Sequence, residues 1–244
     1  MLKRIIKIQL FIIVIMLSQV VFGQHKDIII EKKDGTKVRC FVNAIEKITF
    51  EDIPTTVTDI DGNVYATIVI GDQVWMAENL KVTKYRNGLS ITDVWPVDGS
   101  EANVDTYGRL YSWYEVNKHV TEDDPDYNIA PEGWHVPTDA EWTELKNYLN
   151  NNGHPGTEGT VLKSTSGWYN NGNGTDNYGF TGLPAGYRNF SGSFDYMGTN
   201  ATFWSASEYD TSYAWYRSLG YNNSGIYRTY YYEKYGFSVR CVRD

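Results

Sequence analysis

The segment Gly133-Trp-His-Val-Pro-Thr-Asp-Ala-Glu-Trp142 carries the clearest structural signal in this 244-residue chain. Thr138 is a strong N-cap residue and Glu141 stands three positions later, so the pair predicts a capping box at the start of a helix. Asn150-Asn-Asn-Gly153 predicts where that helix ends. Within it, apolar residues at helical spacing predict one buried stripe, made of Trp142, Leu145, Tyr148 and Leu149.

Upstream of this helix, the pattern predicts a β-hairpin and a second, shorter helix. Val64–Ile70 is rich in β-branched residues, and Gly71-Asp72 predicts a two-residue type II′ turn into a partner strand, Gln73–Met76. The segment Tyr107–Val116 fits a short helix with Leu110, Trp113 and Tyr114 on one face.

Downstream, residues 151–200 are long, glycine-rich and polar, which predicts irregular or functional loops. Strand-like stretches follow, including Tyr213–Leu219. In the last one, Gly236–Val242, alternation predicts a strand that buries Phe237, Val239 and Cys241.

The first 23 residues have the pattern of a secretory signal peptide. Lys3, Arg4 and Lys7 form a positive region, an apolar stretch runs from Leu10 to Val21, and a cut is expected before Gln24. A retained anchor is the alternative, but the stretch is short of the ~20 residues that span a bilayer. No cysteine follows the expected cut, so we expect a secreted, periplasmic or surface protein without a lipid anchor or membrane insertion.

The remaining chain divides into two expected parts. Residues 24–53 predict a small β unit with strands at Asp27–Glu31 and Lys37–Val42, and residues 57–244 predict the main domain. Two cysteines, Cys40 and Cys241, either pair in an oxidising compartment or remain separate buried thiols.

The chain is acidic, with a formal net charge of −8, and signal cleavage removes only positive charges. Nucleic-acid binding needs clustered Lys and Arg on the protein surface, so this composition argues against a nucleic-acid partner.

The C-terminal third contains a tyrosine-rich segment, Glu208–Tyr235, with nine of the 20 tyrosines between Tyr209 and Tyr235. Serine, asparagine, glycine and threonine separate them, which is the composition of an antibody paratope. This composition favours a recognition surface for a protein or a glycan.

Alternation within Glu208–Tyr235 predicts which side chains face outward. Trp215, Arg217 and Leu219 share one face, which Leu219 marks as buried, and Arg217 then needs a carboxylate or backbone carbonyls as a partner. Ile226 and Arg228 are expected to repeat the inward pattern. The predicted ligand-binding residues are Tyr216, Ser218, Asn222, Asn223, Tyr227, Thr229, Tyr230, Tyr231 and Tyr232.

Several motifs together resemble one bacterial family. They are Asp61–Tyr65, Trp75–Lys81, Gly108–Tyr114, Gly133–Trp142, Leu183–Arg188, Phe203–Glu208 and Gly236–Arg243. In this order they resemble the Fibrobacter succinogenes major paralogous domain, which is similar to the C-type-lectin-like superfamily that also holds the formylglycine-generating (sulfatase-modifying) proteins.

The resemblance implies an α+β, C-type-lectin-like fold with two helices, small antiparallel sheets and long irregular loops, preceded here by the small β unit. It also implies secreted or surface-displayed bacterial proteins such as those of Bacteroidetes. Lectin-like proteins diversified by retroelements vary near the C-terminus, and residues 216–235 use a similar set of residue types. The alternatives are a hypervariable, diversified receptor and a simple Tyr-rich extracellular loop.

Catalytic and metal chemistry find little support in the sequence. His25, His119, His135 and His154 show no paired spacing, and only one cysteine lies in the resembling domain, whereas formylglycine-generating enzymes use two. Asp59–Gly62 and Glu122–Asp126 are candidate calcium sites because calcium is bound by several oxygen ligands. A turn and a solvated acidic loop are the favoured interpretations of these two segments. We expect a non-catalytic binding protein without cofactor or metal; a self-associating envelope protein is the alternative, and an enzyme a less favoured one.

Overall fold

The computed structural model describes residues 53–244, apart from the side chains of residues 120 and 121. Before residue 53 it describes the backbone of four strands. These strands are β1 Ile6–Gln9, β2 Asp27–Glu31, β3 Lys37–Phe41 and β4 Ile48–Glu51. The predicted apolar stretch Leu10–Val21 and the expected cut before Gln24 lie outside the described residues.

Contacts divide the chain into two units, residues 1–54 and 55–244. In the first unit, β2 pairs with β3 antiparallel, as the alternation predicts, and β1 pairs with β4 in parallel.

The second unit is a mixed α+β structure with short elements. Its strands are β5 Thr56–Thr58, β6 Val64–Ile70, β7 Gln73–Met76, β8 Val94–Pro96, β9 Arg109–Tyr111, β10 Trp134–His135, β11 Tyr187–Arg188, β12 Phe194–Asp195, β13 Asn200–Asp210, β14 Tyr213–Gly220, β15 Tyr227–Tyr232, β16 Phe237–Ser238 and β17 Val242–Arg243. Its α-helices are α1 Val104–Tyr107, α2 Trp113–Val116, α3 Lys118–Thr121, α4 Asp139–Asn151 and α5 Glu158–Leu162.

Two sheets organise this unit. One has the order β10-β17-β7-β6-β5 and the other has the order β15-β14-β13-β16-β9-β8, while β11 and β12 form a separate hairpin. The predicted hairpin is confirmed, because Ile70 pairs with Gln73. Gly71 has a φ of 66° and Asp72 does not have a positive φ, as a type II′ turn requires.

The helix α4 begins as the sequence predicts. The Thr138 side chain accepts from the Glu141 N–H at 3.2 Å, and the Glu141 carboxylate accepts from the Thr138 N–H at 2.7 Å, which completes the capping box. Trp142, Leu145 and Leu149 are buried and pack into a core with Trp75, Phe180 and Phe203, while Tyr148 is only partly buried.

The predicted second helix is largely wrong. Within Tyr107–Val116 only Tyr107, which ends α1, and Trp113–Val116 are helical, because Gly108 adopts a φ of 74° and Arg109–Tyr111 becomes a strand between β8 and β16. Leu110 and Trp113 are buried, but Tyr114 is exposed. The count of two helices was also wrong, since α5 lies in residues 151–200, expected to be loops, and the short helices α1 and α3 lie where no helix of their own was predicted.

The predicted final strand is also corrected. Phe237, Val239 and Cys241 are buried, but the intervening Ser238 and Arg240 are equally buried. The segment Gly236–Val242 passes from one sheet to the other, with β16 in the six-stranded sheet and β17 in the five-stranded sheet, so both of its sides are covered.

Cys241 is a free, fully buried thiol, and Cys40 lies in β3, whose side chains are not described. Among the described residues, no helix is long and apolar enough to cross a bilayer.

Candidate functional site

Strands β13, β14 and β15 carry the tyrosine-rich segment, and their register decides which side chains lie together. Arg217 stands opposite both Phe203 and Arg228, and Trp215 stands opposite Tyr230. Residues that oppose each other directly project from the same face of a sheet. We call this side the α4 face, because Phe203 packs against Trp142 of α4 at 5.6 Å between ring centroids.

The other side of the same strands is the Phe237 face. Trp204 stacks on Phe237 at 4.2 Å between centroids, and Tyr216 packs on the same ring at 4.8 Å. Tyr231 joins them at 6.1 Å from Phe237 and 4.5 Å from Tyr235. This face is therefore occupied by the protein's own core.

Beyond the N-terminus of α4, the α4 face carries an uncovered set of rings. We define the aromatic array as Tyr209, Tyr213, Trp215, Tyr230 and Tyr232. Tyr209 and Tyr230 stack in parallel at 3.8 Å, Tyr209 meets Trp215 edge to face at 4.9 Å, and Tyr213 lies 4.4 Å from Tyr232. Tyr209, Tyr230 and Tyr232 remain 41–49% exposed, so the array presents aromatic surface to solvent.

Hydrogen bonds between hydroxyls raise the pKa of two tyrosines in the array. A hydrogen bond with Tyr232 raises the pKa of Tyr213 to about 12, and a hydrogen bond with Tyr230 raises the pKa of Tyr209. The array therefore offers uncharged rings and hydroxyls to a ligand.

Asp139, the first residue of α4, ties the helix to the array. Its carboxylate accepts from Arg217 Nη1 at 2.8 Å and from Arg228 Nε at 2.9 Å. Burial opposes ionisation of Asp139, but the hydrogen bonds from the two arginines outweigh it and hold its pKa below the usual value. The Arg228 guanidinium also lies over the Trp215 ring, 3.4 Å from its centroid, so the array, Arg228 and α4 form one packed unit.

Three carboxylates lie near the adjoining ends of β13 and β15, and we call them the acidic rim: Glu208, Asp210 and Glu233. Asp210 stands opposite Tyr213 of the array, whereas Glu208 stands opposite Ala214, on the Phe237 face. Glu208 and Asp210 are exposed, whereas Glu233 is only 4% exposed. Burial raises the pKa of Glu233, and repulsion from Glu208 and Asp210 raises it further. The two exposed carboxylates, Glu208 and Asp210, therefore give this end of the sheet a negative potential.

The structure separates the predicted ligand-binding residues. Tyr230 and Tyr232 lie in the array, whereas Tyr227 is exposed and hydrogen-bonds with the Asn223 amide. Asn222 is exposed, Thr229 is half-buried and Ser218 is 9% exposed.

Tyr216 and Tyr231, predicted to face outward, instead pack on the Phe237 face, and burial raises the pKa of Tyr216 to about 12. Arg228, predicted to face inward, is 45% exposed. The predicted partition into faces was right, but the assumption that one face is buried along its whole length was wrong.

Sequence reasoning missed several members of the surface. Tyr209 and Tyr213 were not assigned, Trp215 was placed inside, Glu208 was given no role, and Asp139 was not connected with the segment. Composition had already marked Glu208–Tyr235, but only the cross-strand register shows which of its rings meet. The predicted need of Arg217 for a carboxylate or carbonyl partner is confirmed, because it bonds both the carboxylate and the backbone carbonyl of Asp139.

The other candidate sites are engaged in structural contacts. The Asp59 carboxylate accepts from Tyr65, Asn63 and Asp61, and the Asp61 carboxylate accepts from Thr83. His135 lies between two carboxylates, with Nδ1 2.6 Å from Asp244 and Nε2 2.8 Å from Glu141. Within residues 53–244, His, Cys, Asp and Glu form no cluster suited to a metal ion.

Comparison with protein-family models gives one assignment for the chain. Residues 68–243, well over half of it, match the model described as the Fibrobacter succinogenes major domain. No curated protein and no solved structure matches the chain.

Proposed function

The chain belongs to the Fibrobacter succinogenes major domain family, and we propose that this member is a non-catalytic binding protein whose aromatic array recognises a protein or a glycan. The single observation that supports this function is the array itself: five aromatic side chains in mutual contact, three of them more than two-fifths exposed. Contiguous exposed aromatic surface is unfavourable in water and marks interaction sites.

The array is also preorganised, which favours binding. Its rings are held by stacking, by the Arg228 guanidinium and by the ladder between β14 and β15. Binding to a surface that is already ordered loses little side-chain entropy, so more of the contact energy appears as affinity.

Two features support a role without catalysis. Burial raises the pKa of the Cys241 thiol well above its usual range, which disfavours the thiolate that thiol chemistry needs. Both ring nitrogens of His135 are engaged by carboxylates, so this histidine lacks a free nitrogen to act as a general base.

We also propose where the protein acts. A C-type-lectin-like framework would present the array on short sheets, and a cleavable signal at residues 1–23 would place it outside the cytoplasm or at the cell surface. Retroelement diversification of the C-terminal segment would vary the array between related proteins, and sequencing the neighbouring DNA for a reverse-transcriptase gene and a near-copy of this segment tests that point.

Glycan and protein arrays test the binding function. The wild-type chain is screened beside a triple variant, Tyr209→Ser, Tyr230→Ser and Tyr232→Ser, and a control variant, Tyr169→Ser. Tyr169 is 63% exposed but lies outside the array. Aromatic hot spots contribute enough energy that the triple variant should lose at least ~30-fold in affinity, whereas the control should bind normally. Equal binding by a folded triple variant would rule out this site.

A further inference from the structure

We propose that the partner is a polypeptide, and that an extended, positively charged segment of it binds as an added strand along the outer edge of β15. This inference rests on the proposed function and decides between its two ligand classes. Strand addition supplies affinity through backbone hydrogen bonds and specificity through alternate side chains.

The outer edge of β15 is open in the described part of the chain. β15 is the terminal strand of the six-stranded sheet, and its six residues pair with β14 on one side only. Its pairing with β14 shows no register shift, and it contains no proline. Edge strands are commonly protected by prolines, bulges, covering segments or charged side chains. β15 has no proline or bulge, and its charged residue Arg228 is engaged by Asp139, so its edge is suited to pairing.

The direction of each backbone group on β15 follows from the ladder. The Glu233 N–H donates to the Ser212 carbonyl at 3.1 Å, one position beyond the Tyr213–Tyr232 pair. This bond makes Tyr213–Tyr232 a non-hydrogen-bonded pair, in which the backbone groups of both residues point away from each other. Such pairs alternate with hydrogen-bonded pairs in an antiparallel ladder. The N–H and C=O groups of Arg228, Tyr230 and Tyr232 therefore point away from β14.

Two further hydrogen bonds agree with this assignment of inward and outward backbone groups. The Tyr232 carbonyl accepts from the Tyr235 N–H at 3.0 Å, on the side away from β14. The Trp215 carbonyl accepts from the Ser205 hydroxyl at 2.9 Å, on the side of β13. The residues with outward backbone groups are also the ones whose side chains lie on the α4 face, next to the array.

Charge indicates the chemistry of the incoming strand. Exposed Asp210 stands opposite Tyr213 at one end of this surface, and exposed Glu208 lies at the same end of the sheet on its other face. The chain as a whole carries a formal net charge of −8. Arg228 lying on the Trp215 ring shows that the rings of this face accept a guanidinium. A partner with lysine or arginine side chains is therefore attracted, whereas a second copy of this acidic chain is repelled.

Selection from a library of random twelve-residue peptides displayed on phage provides the probe. Peptides selected on the wild-type chain should carry net positive charge, and their affinity should fall as salt rises. Enrichment of neutral or acidic peptides, or no enrichment, would overturn the inference. Self-association of the chain that strengthens with salt would assign the edge to a second copy instead.

A matched pair of variants at one position separates the backbone from the side chain. Tyr230→Val removes the ring and keeps the N–H, whereas Tyr230→Pro removes both the ring and the outward N–H. Proline is tolerated on an edge strand where the N–H does not join the ladder. With both variants folded, Tyr230→Pro should bind a selected peptide about tenfold more weakly than Tyr230→Val, the effect of one lost hydrogen bond.

Amide hydrogen exchange gives a second measurement. Peptide binding should slow exchange of the Arg228 and Tyr230 amides. Equal affinity of the two variants, with no such protection, refutes strand addition while leaving side-chain recognition by the array intact. Loss of binding in Tyr230→Val without a further loss in Tyr230→Pro also refutes strand addition and leaves side-chain recognition intact. Normal binding by the triple tyrosine variant would instead refute the proposed function itself.

Discussion

Replacing Asp139 by alanine is expected to destabilise the fold far more than its position at the end of a helix suggests. Asp139 is the carboxylate partner of Arg217, whose side chain is only 2% exposed. Removing one member of a buried ion pair leaves an uncompensated charge and costs roughly 3–5 kcal/mol. Arg217 keeps the Asp139 carbonyl and the Thr143 hydroxyl as acceptors, so we expect a loss of about 3 kcal/mol in the free energy of unfolding.

The matched control is Arg228→Ala, which removes the other partner of the same carboxylate. Arg228 is 45% exposed, so its ion pair contributes roughly 0–1 kcal/mol and its contact with Trp215 a similar amount. We expect a total loss of about 1 kcal/mol, because no buried charge is left unpaired: Asp139 retains Arg217.

Urea denaturation followed by tryptophan fluorescence measures both changes by linear extrapolation. Asp139→Asn, which removes the charge but keeps an oxygen acceptor, should fall between the two variants. If Asp139→Ala costs no more than Arg228→Ala, then Asp139 does not compensate a buried charge, and our account of how α4 is fixed to the array is wrong.

Three further predictions concern other parts of the second unit. A hydrogen bond to the Glu141 carboxylate raises the pKa of His135 above its usual value of 6.5. The contribution of His135 to stability is therefore complete below the unfolded pKa and is lost as pH rises through the folded pKa. The variant His135→Gln should flatten this pH dependence in thermal melts, and an unchanged pH profile would contradict the prediction. The Cys241 thiol is buried and its pKa is raised, so in a Cys40→Ser variant, where Cys241 is the remaining cysteine, Ellman's reagent at pH 8 should react only after unfolding, and rapid reaction of the folded variant would show that the Cys241 thiol is accessible. In Gly159→Ala the new methyl group would collide with the Gly225 carbonyl, and we expect a loss of roughly 1–3 kcal/mol, measured by urea denaturation; full stability would show that the turn shifts freely.

Local signals in the sequence were sufficient for several elements. The Thr138–Glu141 capping box depends on residues three positions apart, and the Gly71-Asp72 turn on two adjacent residues, so both could be predicted without knowledge of the fold. The family motifs were equally visible, and the match over residues 68–243 confirms the family and covers all of these motifs except Asp61–Tyr65.

Segments whose conformation depends on distant partners were predicted poorly. Arg109–Tyr111 has an apolar pattern compatible with a helix, yet it pairs with β8 and β16, and β16 lies far from it in sequence. Ser238 and Arg240 were placed at the surface by alternation, but Arg240 is enclosed by the Asn79 amide oxygen at 2.8 Å and by the Phe180 ring. Hydrogen bonds and rings from elsewhere in the chain permit a polar residue to be buried there.

The binding surface shows the same division between local and long-range causes. Alternation along β14 and β15 is a local property of strands, so the amino-acid order was enough to group Trp215, Arg217 and Arg228 on one face and to require an acceptor for Arg217. Exposure depends on what packs against each face, and α4 covers the shared face only as far as Asp139. Tyr230 and Tyr232 lie beyond that limit and remain open, while Tyr216 and Tyr231 are covered by Phe237. Packing between segments far apart in the chain therefore decided which tyrosines can meet a ligand.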